Sequence, residues 1–232
     1  MTAPDFSRRS EDLELMDADD AAQDELRSTF RELGLINRRL GGHAATLGAL
    51  DALTPPGTKR LKILDVGCGD GDAACVILDW ARARGIKAEV RGIDLSAAAV
   101  RLARERERPG LSFACEDLFA PGSDGAYDIV HAGLLLHHCP GGQAALALKA
   151  MHERARLGVA VNDLHRHPLA YHGIKALTAA LSRDRLIRHD APLSVLRGFL
   201  RSELLDLCRQ ARLPAPEISW RWAFRWQMVI RR

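Results

Sequence analysis

The chain has 232 residues, 47% of them hydrophobic, and a formal net charge of +3, which suits one α/β domain with an added cap around an ordinary packed core. Its basic residues are scattered rather than gathered in one run, so charge gives no reason to expect a nucleic acid or a membrane surface as partner. No apolar run approaches the roughly 20 residues that span a bilayer, no basic-then-apolar leader opens the chain, and the cysteines at 68, 75, 115, 139 and 208 form no C-x-x-C pair. Dispersed, reduced thiols and the missing leader predict a cytoplasmic protein.

In chain order, residues 1 to 20 carry Asp5, Glu11, Asp12, Glu14, Asp17, Asp19 and Asp20 with few apolar partners, which predicts a loosely docked start that adds little to the fold. From Ala21 to Leu40, Leu26, Phe30, Leu33 and Ile36 recur at helical spacing, and a second helix is expected from His43 to Leu53 after Gly41-Gly42. Pro55-Pro56-Gly57 closes this lead, so residues 1–55 read as a helical extension or cap and 56–232 as the main domain. Such helices can cover a site or merely one face of a sheet.

The apolar run Leu61 to Val66 contains Asp65 near its end and breaks into Gly67-Cys68-Gly69-Asp70-Gly71-Asp72, a buried strand entering a tight turn, with a helix expected from Ala73 to Arg84. Glycines at 67, 69 and 71 let a ligand touch the backbone. A dinucleotide loop, G-x-G-x-x-G, would seat a pyrophosphate here, but Asp72 replaces its third glycine. Asp65, Asp70 and Asp72 would repel a pyrophosphate and suit a ligand carrying an ammonium and a sulfonium. The loop resembles motif I of the class I S-adenosylmethionine-dependent methyltransferases: an acid, any residue, then glycines at alternate positions.

A second strand, Lys87 to Asp94, ends in an acid 23 positions beyond Gly71, where a ribose-binding carboxylate belongs in a βαβ nucleotide unit; the same acid also precedes Ser96, the expected N-cap of a helix from Ala97 to Glu107. A third strand, Leu111 to Cys115, leads to Asp117 and Leu118. The resemblance implies that Asp117 bonds the adenine amino group and that Leu118 or Leu95 packs on its ring. Asp65, Gly67, Cys68, Gly69, Gly71 and Asp94, with His131 of the fourth strand, complete the expected cofactor set.

That fourth strand, Tyr127 to Ala132, is followed by Leu136-His137-His138-Cys139-Pro140. The Leu-His-His resembles the small-molecule branch that includes the ubiquinone- and menaquinone-methylating enzymes, a likeness covering roughly residues 60–165. It implies that His137 and His138 line the methionine end of the cofactor or brace the loop. His131, His137, His138 and Cys139 fit no standard zinc spacing. After a helix from Gln143 to Arg156, the fifth strand ends in Asn162-Asp163, similar to the magnesium-holding pair of catechol methyltransferases. Those enzymes also need an acid at the fourth strand's end, where this chain has His131 and Gly133, so no metal is expected.

The stretch 165–195 is read as an insertion: His165, His167 and His172, a helix through Leu181, and a loop from Arg183 to Pro192 with His189. It starts beyond the fifth strand's carboxyl end, on the ligand side of such sheets, which predicts a lid over an apolar, hydroxyl-bearing substrate. After a helix from Arg201 to Arg212, Glu217 to Arg221 and Arg225 to Ile230 form a hairpin, with Trp226, Met228 and Ile230 inward against Arg225, Gln227 and Arg231. The expected fold is therefore α/β, a Rossmann-like seven-stranded sheet whose last strand is reversed, with N-terminal helices and a helical lid.

The function these features predict is transfer of a methyl group from S-adenosylmethionine to a small, largely apolar acceptor, at a phenolic or enolic oxygen. Positioning does most of the work, and a base titrating near neutrality assists. His165 is the first candidate, followed by His167, His172 and His138. Competing readings are carbon methylation of a quinone-like substrate, a nucleotide-dependent oxidoreductase, and a non-catalytic module binding S-adenosylmethionine or RNA. The partner expected is a small molecule, with room for a homodimer.

Overall fold

The computed structural model describes residues 4–17, 23–120 and 126–232. Its centre is a run of apolar strands buried on both faces, as parallel strands covered by helices must be. In chain order the elements are α1 (Gln23–Arg39), α2 (Gly42–Leu53), β1 (Arg60–Val66), α3 (Asp72–Ala83), β2 (Lys87–Asp94), α4 (Ala97–Arg104), β3 (Leu111–Cys115) and β4 (Tyr127–Gly133). They continue with α5 (Gln143–Arg154), β5 (Ala155–Leu164), α6 (Pro168–Leu181), α7 (Arg185–Arg197), α8 (Arg201–Gln210), β6 (Glu217–Arg221) and β7 (Arg225–Arg231). The seven strands lie in the order β3-β2-β1-β4-β5-β7-β6, and β7 runs antiparallel to β5. The order reverses at β1, so the carboxyl ends of β1 and β4 flank the crevice where open α/β sheets take ligands.

Two apolar layers hold the sheet. One face packs Leu148 and Met151 of α5 and Leu204 and Cys208 of α8 against Val130, Val159 and Met228. The other packs Ala49, Leu50 and Leu53 of α2 and Ile77 and Leu78 of α3 against Ile63, Val90, Ile129 and Val229. Thus α2 belongs to the core, whereas Leu26, Phe30 and Leu33 of α1 face the crevice. Among the described residues no helix is long and apolar enough to cross a membrane.

Three expectations are corrected. The start of the chain is docked, not loose. Ser10 N donates to Leu196 O at 3.1 Å, Leu15 N and Met16 N donate to the two carboxylate oxygens of Asp190 at 2.8 and 3.0 Å, and the Arg9 guanidinium donates to Arg197 O and His137 O. Buried Arg166 adds a bond to Phe6 O at 3.0 Å. The anchors are backbone amides, Arg9 and the buried Glu14, while Asp5, Glu11 and Asp12 are exposed; Asp19 and Asp20 lie outside the described residues.

The second correction concerns Arg183 to Pro192, which is not a loop: most of it is the first part of α7. Asp184 caps that helix by accepting from Leu186 N and Ile187 N, and burial of Leu186, Ile187, Leu193 and Val195 outweighs the backbone bond that Pro192 forfeits. Third, β7 does not alternate between buried and exposed residues. Because it lies inside the sheet between β5 and β6, with α2 over its second face, Arg225 and Gln227 are as buried as Trp226 and Met228.

Candidate active site

The glycine turn after β1 takes its shape from three left-handed residues, Gly67, Gly69 and Gly71. Gly67 has φ 66°, and a Cβ there would meet Leu135 Cδ1 at 2.6 Å; Gly71, φ 82°, turns the chain into α3. Gly67 N and Cys68 N both donate to Ile93 O, at 2.9 and 3.1 Å, which fixes the turn to the end of β2. Asp94 completes that link. Its Oδ2 accepts from Gly69 N at 2.9 Å and its Oδ1 from Ser96 N at 2.8 Å, while Ser96 Oγ caps α4 by accepting from Ala99 N. The two readings of Asp94 therefore coexist: it shapes the turn and also lines the crevice.

Asp65 is 1% exposed. Its Oδ1 bonds His131 Nδ1 at 2.6 Å, and His131 Nε2 meets Thr46 Oγ1 at 3.1 Å. Asn162 Nδ2 in turn donates to Gly42 O at 3.0 Å and toward Thr46 Oγ1 at 3.4 Å. Asp65 Oδ2 has no hydrogen-bond partner among the described residues, although Asp65 lines the crevice. A buried carboxylate oxygen left open beside a side-chain-free turn suits an ammonium donor, so the residues present fit S-adenosylmethionine.

The other two acids of the turn do not stand free, as the charge argument from sequence assumed. Asp70 pairs with Arg106, and burial, only partly offset by that arginine, pushes its carboxyl up. Asp72 bonds His43 Nε2 at 2.7 Å, and this bond outweighs burial to hold its carboxyl below the usual range. Burial raises the Cys68 thiol far out of the reactive range.

The crevice and the space beyond it form one cavity of about 600 Å3, walled away from the glycine turn by α1, α6 and α7. Leu169, Ile174 and Leu177 of α6 and Leu186 and Ile187 of α7 supply apolar surface, so the stretch expected as a lid does form a wall. Polar groups enter from Glu14, His137 and His138. His137 Nδ1 bonds Asp163 Oδ1 at 2.7 Å; the same oxygen accepts from Leu164 N at 2.7 Å, and Oδ2 accepts from His137 N at 3.3 Å. Burial alone would raise the Asp163 carboxyl, but His137, the Leu164 amide and His138 outweigh it and hold it below its usual value. His138 stacks on His137 with ring centroids 4.2 Å apart. Glu14 lies 3.7 Å from His137 Nε2 and 3.9 Å from His138 Nε2, and accepts from Ser194 Oγ at 2.9 Å.

Of the expected cofactor residues, Asp65, Gly67, Cys68, Gly69 and Asp94 line the crevice. Gly71 sits behind them at the start of α3. His131 is fully buried behind Asp65, which makes it a positioning residue rather than a ligand contact. Leu118 is in the core, Leu95 is 71% exposed, and exposed Asp117 accepts from Phe119 N, all outside the cavity lining.

Of the four candidate bases only His138 lines the cavity. His165 packs its ring on Trp226 at 4.6 Å, and burial, with His167 and Arg166 nearby, pushes it down to about 4, a poor base. His167 caps α6 through Nδ1 and stacks on Phe224, and exposed His172 packs beside Tyr171 and Phe6. The His137–Asp163 pair and buried Glu14 were visible in sequence as residues, but their pairing across 26 and 123 positions was not.

A family described as "Methyltransferase domain" matches residues 63–158. A curated relative, the malonyl-[acyl-carrier protein] O-methyltransferase of Acetivibrio thermocellus, is 36% identical over 83 residues, which are 35% of this chain and 28% of that protein. Human N-acetylserotonin methyltransferase in complex with S-adenosylmethionine aligns with TM-score 0.63 at 17% identity, over 91% of this chain and 56% of that one. An S-adenosylmethionine-dependent methyltransferase of Aquifex aeolicus aligns with TM-score 0.62 at 15% identity, over 91% and 98%. At those identities the two structures bear on the fold. Residues 63–158, which hold the glycine turn and Asp94, thus match the methyltransferase-domain family, and the fold around them is the one these S-adenosylmethionine-dependent methyltransferases share.

Proposed function

We propose that the chain transfers a methyl group to an oxygen of a small, largely apolar acceptor bound between α1, α6 and α7, with His137 as the base. The observation that carries this is the Asp163–His137 pair, buried on one side and facing the same cavity as the glycine turn on the other. S-adenosylmethionine supplies a methyl group already activated by its sulfonium. Asp65 Oδ2 and the turn take its amino-acid end, Asp94 its ribose hydroxyls, and Asp117 and Leu95, beyond β3 and β2, its adenine. Asp163 accepts a hydrogen bond from His137 Nδ1–H, which leaves Nε2 as the basic nitrogen that withdraws the acceptor's hydroxyl proton, and the Asp163 carboxylate stabilises the imidazolium formed. The apolar walls exclude water and hold the acceptor in line with the methyl group.

The curated relative is an O-methyltransferase, which supports oxygen over carbon as the receiving atom. Glu14, His137 and His138 each offer one ligand atom within 4.8 Å of the others. Asp163 already engages His137, and Ser194 and Arg197 engage Glu14, which supports reading the cluster as a network of mutually held side chains and the reaction as metal-independent. Five free cysteines support a reducing, cytoplasmic setting. The test is incubation with methyl-labelled S-adenosylmethionine and a panel of phenols, quinols and polyketides, with products assigned by mass spectrometry. Label in a methyl ether is expected; label on carbon, or none in any product while the cofactor binds, would overturn the oxygen assignment.

A further inference from the structure

Arg225, the first residue of β7, stands beside Leu164 at the carboxyl end of β5 and is 3% exposed. Its Nη2 donates to Asn37 Oδ1 of α1 at 2.9 Å. Its Nε and Nη1 are buried with no hydrogen-bond partner among the described residues, yet the side chain lines the cavity. The nearby acid Asp163, whose charge acts on it, is committed to His137 and Leu164. A guanidinium carries five N–H donors and stays charged; burial lowers it only to about 10. Leaving those donors dry and unpaired is costly unless a ligand completes them.

Resting on the methyltransferase reading above, we infer that Arg225 is the anchor for a carboxylate carried by the methyl acceptor. A planar carboxylate matches the open side of a guanidinium, and Asn37 fixes the orientation of that plane from α1. The methionyl carboxylate of the cofactor is the other source of the same chemistry. Strands β4 and β5 lie between β7 and β1, which carries the glycine turn. Three strand spacings amount to about 14 Å, so the anchor belongs to the acceptor's end. The apolar walls of α6 and α7 then select an acid with an apolar body.

Calorimetry on the protein loaded with S-adenosylhomocysteine tests this, using 4-hydroxycinnamate and octanoate, each against its neutral carboxamide. The parent should bind at least one acid about tenfold or more tightly than its amide. Arg225→Met should abolish that preference while leaving S-adenosylhomocysteine affinity unchanged, and its ligand-free form should melt higher because an unpaired buried charge is gone. Arg225→Lys, which keeps the charge but not the fork, should retain part of the preference and carries the test if the methionine variant does not fold. The inference is overturned if neither acid binds the loaded parent, if acids and amides bind alike, or if Arg225→Met weakens S-adenosylhomocysteine as much as the acids. Failure of S-adenosylhomocysteine to bind the parent would sink the methyltransferase reading itself, and this inference with it.

Discussion

Replacing Asp163 with asparagine probes the proposed base with little change of shape. Asp163 is 0% exposed and receives three N–H groups: His137 Nδ1 and Leu164 N on Oδ1, and His137 N on Oδ2. Asparagine has one carbonyl oxygen, so in either orientation its amide nitrogen faces a donor and at least one bond is lost. A hydrogen bond to a charged group is worth about 1.5–3 kcal/mol, which in a domain of this size lowers Tm by about 3–12 °C. The effect on turnover should be larger. Without the carboxylate, the imidazolium loses its hydrogen-bonded counter-charge, with Glu14 left 3.7 Å from Nε2, and the Nδ1 tautomer is no longer enforced, so kcat should fall by about 10²–10⁴, the range of a general base. S-adenosylhomocysteine affinity and acceptor KM should stay near the parent's, since Asp163 does not line the cavity. Steady-state kinetics with labelled donor, alongside calorimetry and thermal melts, make the comparison. A variant that melts lower yet keeps kcat within about threefold of the parent would remove His137 as base, because no base-catalysed share of the rate would have been lost.

Asp94→Ala removes the acceptor of Gly69 N and Ser96 N together with the proposed ribose contact; calorimetry should show S-adenosylmethionine affinity down about 10–100-fold in a folded protein. Gly67→Asp should do at least as much, since a Cβ there meets Leu135 at 2.6 Å in a left-handed turn, and unchanged binding would contradict the turn's assignment. His165→Ala should leave turnover within about threefold, because its ring lies against Trp226 away from the cavity and surface-type substitutions act weakly; a loss of kcat at constant stability would restore it as a candidate. Asp163 and Asp72 both sit below the ordinary carboxylate value in the fold. Their contribution is thus full above the unfolded value near pH 4 and lost as pH falls through the folded values. Denaturation followed against pH should therefore steepen below about pH 4, less so in Asp163→Asn; stability that rises on acidification would refute the pairing.

What the sequence discloses here is local. A left-handed turn needs glycine at its own position, so Gly67 and Gly71 announce it, and the strand ending in Asp94 lies in the next βα unit. The parallel body of the sheet follows from the alternation of strands and helices, and the reversal of β7 from the short hairpin that joins it to β6. Side-chain partnerships between distant segments are not disclosed. His165 and His137 are alike as residues; only the arrival of Asp163 beside one, and of Trp226 beside the other, separates their chemistry. The acidic start looked solvated because its anchors are backbone amides and one arginine meeting Asp190, Arg197 and His137 far along the chain. Likewise the alternation in β7 hid Arg225, since a strand with helices and cavity over its second face has no solvent side.

The docked N-terminal segment has a practical consequence for handling the protein. With Glu14 and Met16 built into the cavity wall, strain put on this segment is passed directly to that wall. Arg232 N, by contrast, donates to Leu157 O near the start of β5, on the sheet margin remote from the glycine turn. Fluorophores and surface tethers therefore belong at that far margin, away from the cavity.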